Sequence, residues 1–259
     1  MFITFANLQP MRLCYLKRLV YNNFMNILAV GCHPDDLEIG CGGTLALYAQ
    51  EGHVVTMVHV ANGNMGHTII MPDELRALRI EEARRAGALL GVAEVITLDV
   101  GDLAVDSHDP ALVRAMVDVI RRVQPDVIIT HDPQDYMRDH VEVSRLVFDA
   151  SFSASVPHYQ TPAPGVASIT PMYYMDTLAG INFLPVEYVD ISTTIETKLK
   201  ALDCHESQVK WMRDHDGIDF LEFTRTTSRF RGLQSNVPYA EGFRPCLSWP
   251  RLTTRRLLP

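Results

Sequence analysis

The sequence has no Cys-x-x-Cys pair, and its five cysteines, Cys14, Cys32, Cys41, Cys204 and Cys246, follow no regular spacing. That pattern argues against a cysteine-built zinc site and against a disulfide framework; reduced thiols in a cytoplasmic protein are the simpler expectation. Basic charge is scarce: 23 Lys and Arg against 31 Asp and Glu leave a net charge of −8. A nucleic-acid partner, whose phosphates want a basic face, is therefore not expected. No apolar run approaches the ~20 residues that span a bilayer. A complete G-x-G-x-x-G is missing too. Gly40 and Gly42 begin one, but Leu45 stands where the third glycine belongs, so a nucleotide-dependent oxidoreductase lacks its fingerprint. The glycines, with Gly43, instead suit close packing of the first helix on a sheet. There is no internal repeat and no low-complexity block.

What remains is ordinary for a globular protein: 47% hydrophobic and 21% charged residues over 259 positions, enough for one large α/β domain. Residues 1–24 mix apolar and basic side chains without the order of a signal peptide and read as an N-terminal extension. The domain is expected from Met25 to Arg244, with residues 245–259 as a tail whose Arg251, Arg255 and Arg256 are solvated. Asn26 to Gly31 (NILAVG) reads as a buried strand. Helix is expected over 40–50, strand over 54–60, an amphipathic helix over 72–91, and a strand over 95–98. Helix over 110–123 follows, then a buried strand, DVIIT, over 126–130 and a helix over 141–151. Residues 155–171 read as a long loop. Strands over 172–175 and 187–189, one helix over 192–211 with Ser192 as its N-cap, and a last helix over 221–233 complete the pattern. Repeated strand–helix units predict a Rossmann-like, mostly parallel sheet with helices on both faces.

Two polar clusters stand just past buried strands, where such folds place their sites. The first is His33-Pro34-Asp35-Asp36-Leu37-Glu38; the second runs from His131-Asp132-Pro133 to Met137-Arg138-Asp139-His140. A catalytic zinc commonly takes three N or O ligands and keeps one position for water. His33, Asp36 and His140 would supply two imidazoles and a carboxylate. Asp35, adjacent but free, would be the base that takes a proton from water. Tandem aspartates suit that division of labour, since one binds the ion and the other does not. Asn62, after the second strand, is a candidate pocket residue, with a plain turn as the other reading. Cys32 is expected to be a small buried residue beside His33.

At these residues the sequence resembles a known family. GCHPDDLEIGCGGTLA is similar to the signature of the LmbE/PIG-L family of zinc-dependent N-acetylglucosaminyl deacetylases, and the segment ending Asp139-His140 resembles its second motif. Leu78-Arg79-Ile80-Glu81-Glu82-Ala83, His205-Glu206-Ser207-Gln208 and Tyr239-Ala240-Glu241-Gly242-Phe243 resemble its later segments. The resemblance implies a Rossmann-like fold and one Zn2+ per chain held by His33, Asp36 and His140. It further implies Asp35 as general base and Arg79 as a substrate contact. Many members carry a histidine three residues before the last ligand, paired with the penultimate aspartate, here Asp139. In this sequence that position is Met137, which neither donates nor accepts a proton. Asp35 then handles both proton transfers, or a histidine enters from elsewhere, with His67, His158, His205 and His215 as candidates.

The expected function is hydrolysis of an N-acetyl group from an amino-sugar substrate by metal-activated water. Asp35 and Asp139 take the catalytic roles, the latter also able to orient a ligand histidine. The alternative, suggested by Met137, is a non-catalytic sugar- or metal-binding protein on the same fold. A homo-oligomer is compatible with either, and no residue fixes its number.

Overall fold

The computed structural model describes residues 24–259. The extension expected at residues 1–24 therefore lies outside the described residues except for Phe24. The first half of the described chain alternates strictly: β1 (Asn26–Gly31), α1 (Asp36–Gln50), β2 (Val54–Ala61), α2 (Pro72–Leu90), β3 (Glu94–Val100), α3 (Pro110–Val123), β4 (Val127–Thr130) and α4 (Arg138–Ser153). The second half is less regular: β5 (Met172–Met175), a short 3-10 turn (Leu178–Gly180), β6 (Glu187–Asp190), α5 (Ile195–Asp203), α6 (Glu206–Asp216), α7 (Phe220–Ser235) and β7 (Ala240–Pro245). The seven strands form one sheet in the order β3-β2-β1-β4-β5-β7-β6. β1 to β5 run parallel, and β7 inserts antiparallel to both β5 and β6.

β1 shows why its sequence is apolar throughout. Ile27 and Ala29 point into the core under α1 and α5, while Leu28 and Val30 point into the core under α3 and α4. All four are fully buried. A strand covered on both faces has no solvent side to alternate towards. Full burial of each branched side chain is worth about 1.5–3 kcal/mol. Chain order reverses between β1 and β4, so their carboxyl ends open a crevice at the point where α/β sheets bind ligands.

α1 lies tight on this sheet because its glycines permit it. A Cβ on Gly40 would come within 2.6 Å of the Met175 sulfur, and one on Gly43 within 2.8 Å of Ile191. The helix is locked by a buried ion pair. Glu241 on β7 accepts from Lys198 Nζ at 2.6 Å, from the backbone N–H groups of Gly43 and Thr44, and from the Thr44 hydroxyl. Lys198 also donates to the Ile39 carbonyl at 2.8 Å. One carboxylate thus joins α1, α5 and β7 at the end of the sheet that carries the crevice.

Three expectations need correction. The first helix begins at Asp36, not at residue 40. The helix expected over 192–211 is two helices broken at Cys204–His205, and the N-cap position is Thr194, while Ser192 bonds to Asp190. The break is fixed from outside: Glu82 on α2 accepts the Ser207 N–H and hydroxyl at 2.8 and 2.7 Å. β7 has no counterpart among the expected elements, since AEGFRP carries glycine, proline and two charges. Finally, the terminal segment is docked in part: Arg255 and Arg256 are exposed as expected, but Arg251 is not. Arg251 is buried, stacks over Phe148 and bonds to the Phe148 carbonyl and the Ser151 hydroxyl. Leu257 and Leu258 pack into the core, and the Tyr48 hydroxyl donates to the Leu257 carbonyl.

Candidate active site

The crevice between the ends of β1 and β4 opens into a cavity of about 360 Å³ whose lining includes His33, Asp35, Asp36, Arg79 and His140. The two clusters, far apart in sequence, meet there. Ligand-type atoms of His33, Asp36 and His140 all lie within 4.8 Å of one another. Asp36 Oδ2 is 3.5 Å from His33 Nδ1 and 3.3 Å from His140 Nε2, and it accepts the His33 backbone N–H at 2.6 Å.

Each histidine has a carboxylate behind it. His140 Nδ1 is hydrogen bonded to Asp135 Oδ2 at 3.0 Å, which turns Nε2 towards Asp36. His33 Nε2 lies 3.5 Å from Asp139 Oδ2, which turns Nδ1 inward. Asp139 is in turn held by the Leu103 N–H at 2.7 Å. Carboxylates placed this way fix ring orientation and raise the basicity of metal-binding imidazoles. Asp139 therefore backs the histidine of the first cluster, not its neighbour His140.

These residues fit a divalent cation. His140 Nε2 is buried and has no hydrogen-bond partner. Burial lowers the His140 imidazole, but Asp36 and Asp135 outweigh it and bring it up to about 9, so the carboxylates here call for a positive charge. Burial likewise raises Asp36, yet His140, His131 and His33 hold it well below the usual carboxylate range. His131, Asp135 and His140 also lie close enough to share an ion. That set is less suited, because His131 Nε2 accepts the Cys32 N–H at 2.9 Å and His140 Nδ1 is engaged by Asp135. His131 instead stacks on His140 with ring centroids 3.9 Å apart. Cys32 is fully buried, and burial pushes its thiol up to about 12.

Asp35 occupies a strained position, with φ at 120° just before α1. Such backbone conformations are costly and persist where the surroundings enforce them. Arg79 is one enforcer. Its Nη2 donates to Asp35 Oδ2 at 3.0 Å and to the Pro34 carbonyl, and its Nη1 to the Gly63 carbonyl at 3.2 Å. Burial pushes the Asp35 carboxyl up to about 6, with Arg79 pulling the other way.

Asn62 does not line the cavity. Its amide donates to Asp99, and its carbonyl accepts the Asn64 N–H, so the structure places it in the turn after β2. Met137 does face the cavity. Of the histidines considered as its substitute, His205 is fully buried 3.2 Å from Glu38, and His67 and His215 flank Trp211. None of these lines the cavity. Sequence reasoning missed the roles of Asp135 and His131. The available signal was the general need of a ligand histidine for a carboxylate partner, but the loop that folds Asp135 back on His140 has no pattern of its own.

Comparison with known proteins gives the family. The family profile described as "PIG-L: GlcNAc-PI de-N-acetylase" matches residues 28–151. A diacetylchitobiose deacetylase of Thermococcus kodakarensis is 30% identical over 230 residues, 86% of this chain and 84% of that protein. The chain thus belongs to the PIG-L/LmbE family. Among solved structures, N,N'-diacetylchitobiose deacetylase of Pyrococcus horikoshii superposes with a TM-score of 0.72 at 25% identity, covering 93% of this chain and 95% of that one. A 4-carboxy-2-hydroxymuconate hydratase of Pseudomonas putida gives 0.76 at 25% identity, covering 90% and 100%. Among the described residues no helix is long and apolar enough to cross a membrane.

Proposed function

We propose that the protein is a metal-dependent N-deacetylase acting on an N-acetylglucosamine-type substrate. The observation that carries this reading is the three-residue set His33, Asp36 and His140 with Asp35 beside it in the same cavity and outside the set. In this reading His33, Asp36 and His140 would hold one zinc ion per chain. Such an ion supplies Lewis acidity towards an amide carbonyl and acidity to water.

The remaining work falls to the chain's own groups. Asp35 accepts a proton from the water that attacks the acetyl carbon. A carboxyl brought up to about 6 by burial is matched to that task near neutral pH. The same carboxyl then delivers the proton to the sugar nitrogen as the C–N bond breaks, and acetate and a free amine leave. With Met137 where a histidine could have acted, and no other histidine lining the cavity beyond His33, His131 and His140, Asp35 serves both transfers. Arg79 is a positioning residue that fixes the Asp35 carboxylate. Asp139 positions His33.

The likeness to a hydratase motivates a second reading, addition of water to an unsaturated carboxylate. Charge disfavours it. Among the described residues, the cavity lining has five aspartates and a single arginine, Arg79, which is already bonded to Asp35, Pro34 and Gly63. A neutral acetamido sugar that leaves as a cationic amine suits that lining better than a polycarboxylate.

The test combines metal analysis with turnover. One zinc per wild-type chain is expected, lost in His140→Ala. Asp35→Asn is expected to retain zinc and lose nearly all acetate release from N-acetylglucosaminides. Absence of acetate release together with bleaching of a conjugated dicarboxylate would replace this reading with the hydratase.

A further inference from the structure

The cavity wall is not only charged. It also includes Met65, Leu103, Met137, Leu178, Met212 and Phe220. None of these side chains donates or accepts a conventional hydrogen bond. Met65 is 57% exposed and Leu103 74% exposed, so both are accessible to a ligand in the cavity.

The backbone of each of these two residues is anchored by an acidic residue near the site. The Met65 N–H donates to Asp102 Oδ2 at 2.9 Å, and the Leu103 N–H donates to Asp139 Oδ2 at 2.7 Å. Leu103 is also in the left-handed region, with φ at 64°, where a leucine is disfavoured and asparagine or glycine is at ease. A branched apolar side chain is kept at the cavity mouth against its backbone preference.

The polar groups nearby are partly engaged. Asp176 is bonded by two nitrogens of Arg231. Asp102 accepts the N–H groups of Gly63 and Met65. Gln208 donates to the Gly66 carbonyl. What these three residues still offer the hydroxyls of a second sugar is mostly acceptor lone pairs.

We infer that this wall receives an apolar group of the substrate beside the reacting amide, an alkyl or aryl aglycone in preference to a second sugar. The inference rests on the amino-sugar reading of the site, and its test separates the two. Binding of methyl and hexyl N-acetylglucosaminides to the zinc-loaded protein is measured by calorimetry, with acetate release followed in parallel. Diacetylchitobiose and N-hexanoylglucosamine are the comparison ligands.

The hexyl glycoside is expected to bind at least about tenfold more tightly than the methyl glycoside, from burial of its added methylenes. Leu103→Asn, which suits the left-handed backbone, and Met212→Gln, similar in size, are each expected to remove most of that preference with melting temperature unchanged. Equal affinity for the methyl and hexyl glycosides, or tighter binding of diacetylchitobiose, overturns the inference. So does an undiminished preference in both variants. Tightest binding of N-hexanoylglucosamine also overturns it, assigning the wall to the acyl chain instead. Hexyl preference without acetate release leaves the wall and removes the deacetylase; acetate release without hexyl preference does the reverse.

Discussion

His140 and Asp135 are joined by a 3.0 Å hydrogen bond, and it sets which imidazole nitrogen faces Asp36. Removing the carboxylate frees the ring to rotate and lowers its basicity. Asp135→Ala is expected to weaken zinc binding about 10–100-fold. Competition with a chromophoric chelator reads this directly. Unchanged affinity would mean that His140 is not held as a ligand.

Asp139 stands behind His33 in the same way but has a second task, since it also anchors the Leu103 N–H. Asp139→Asn is nearly isosteric. It is expected to weaken zinc affinity at least about tenfold, and to lower affinity for any ligand that contacts Leu103. A variant that lost turnover with full zinc affinity would instead give Asp139 a direct part in the reaction.

Much of this site is legible in the amino-acid sequence. NILAVG and DVIIT declare themselves as strands buried on both sides, and a parallel sheet has its sites at the carboxyl ends of such strands. His33, Asp35, Asp36 and His140 follow from that rule and from ligand chemistry. Asp135 does not, because its role depends on how an irregular loop turns back. Asn62 is misplaced by the same rule for a related reason: a polar residue past a strand end can face the ligand or close a turn, and the Asp99 contact that decides lies across the sheet. The break at His205 and the strand at Ala240–Pro245 are tertiary effects. Glu82 holds the first, and pairing with β5 and β6 holds the second. Local propensity carries no trace of either.

Glu241 illustrates a polar residue in a strand that makes sense only in three dimensions. Its carboxylate is buried with Lys198 and two backbone N–H groups of α1. Glu241→Ala leaves a buried ammonium and two backbone donors without their partner, at a cost of about 3–5 kcal/mol. A fall in melting temperature of about 10 °C is expected. Lys198→Met should cost less, because Glu241 keeps its backbone donors. Equal, small losses in both variants would show that the pair contributes little to holding α1.

His59 gives a prediction about pH. It is fully buried on β2, and neither ring nitrogen has a hydrogen-bond partner. Burial pushes its imidazole down to about 4, with Glu38 opposing and His205 reinforcing the shift. The unfolded chain therefore takes up a proton near pH 6.5 that the folded chain refuses until about pH 4. Between those values the unfolded state binds more protons, so stability falls as pH falls. A group of this kind contributes fully above pH 6.5 and loses its contribution as pH drops towards 4, on the order of 3 kcal/mol in all. Chemical denaturation of wild type across that window is expected to show the decline, and His59→Leu is expected to flatten it. An identical pH slope in the variant would mean that His59 is not neutral in the fold. The acid sensitivity would then belong to the surrounding carboxylates.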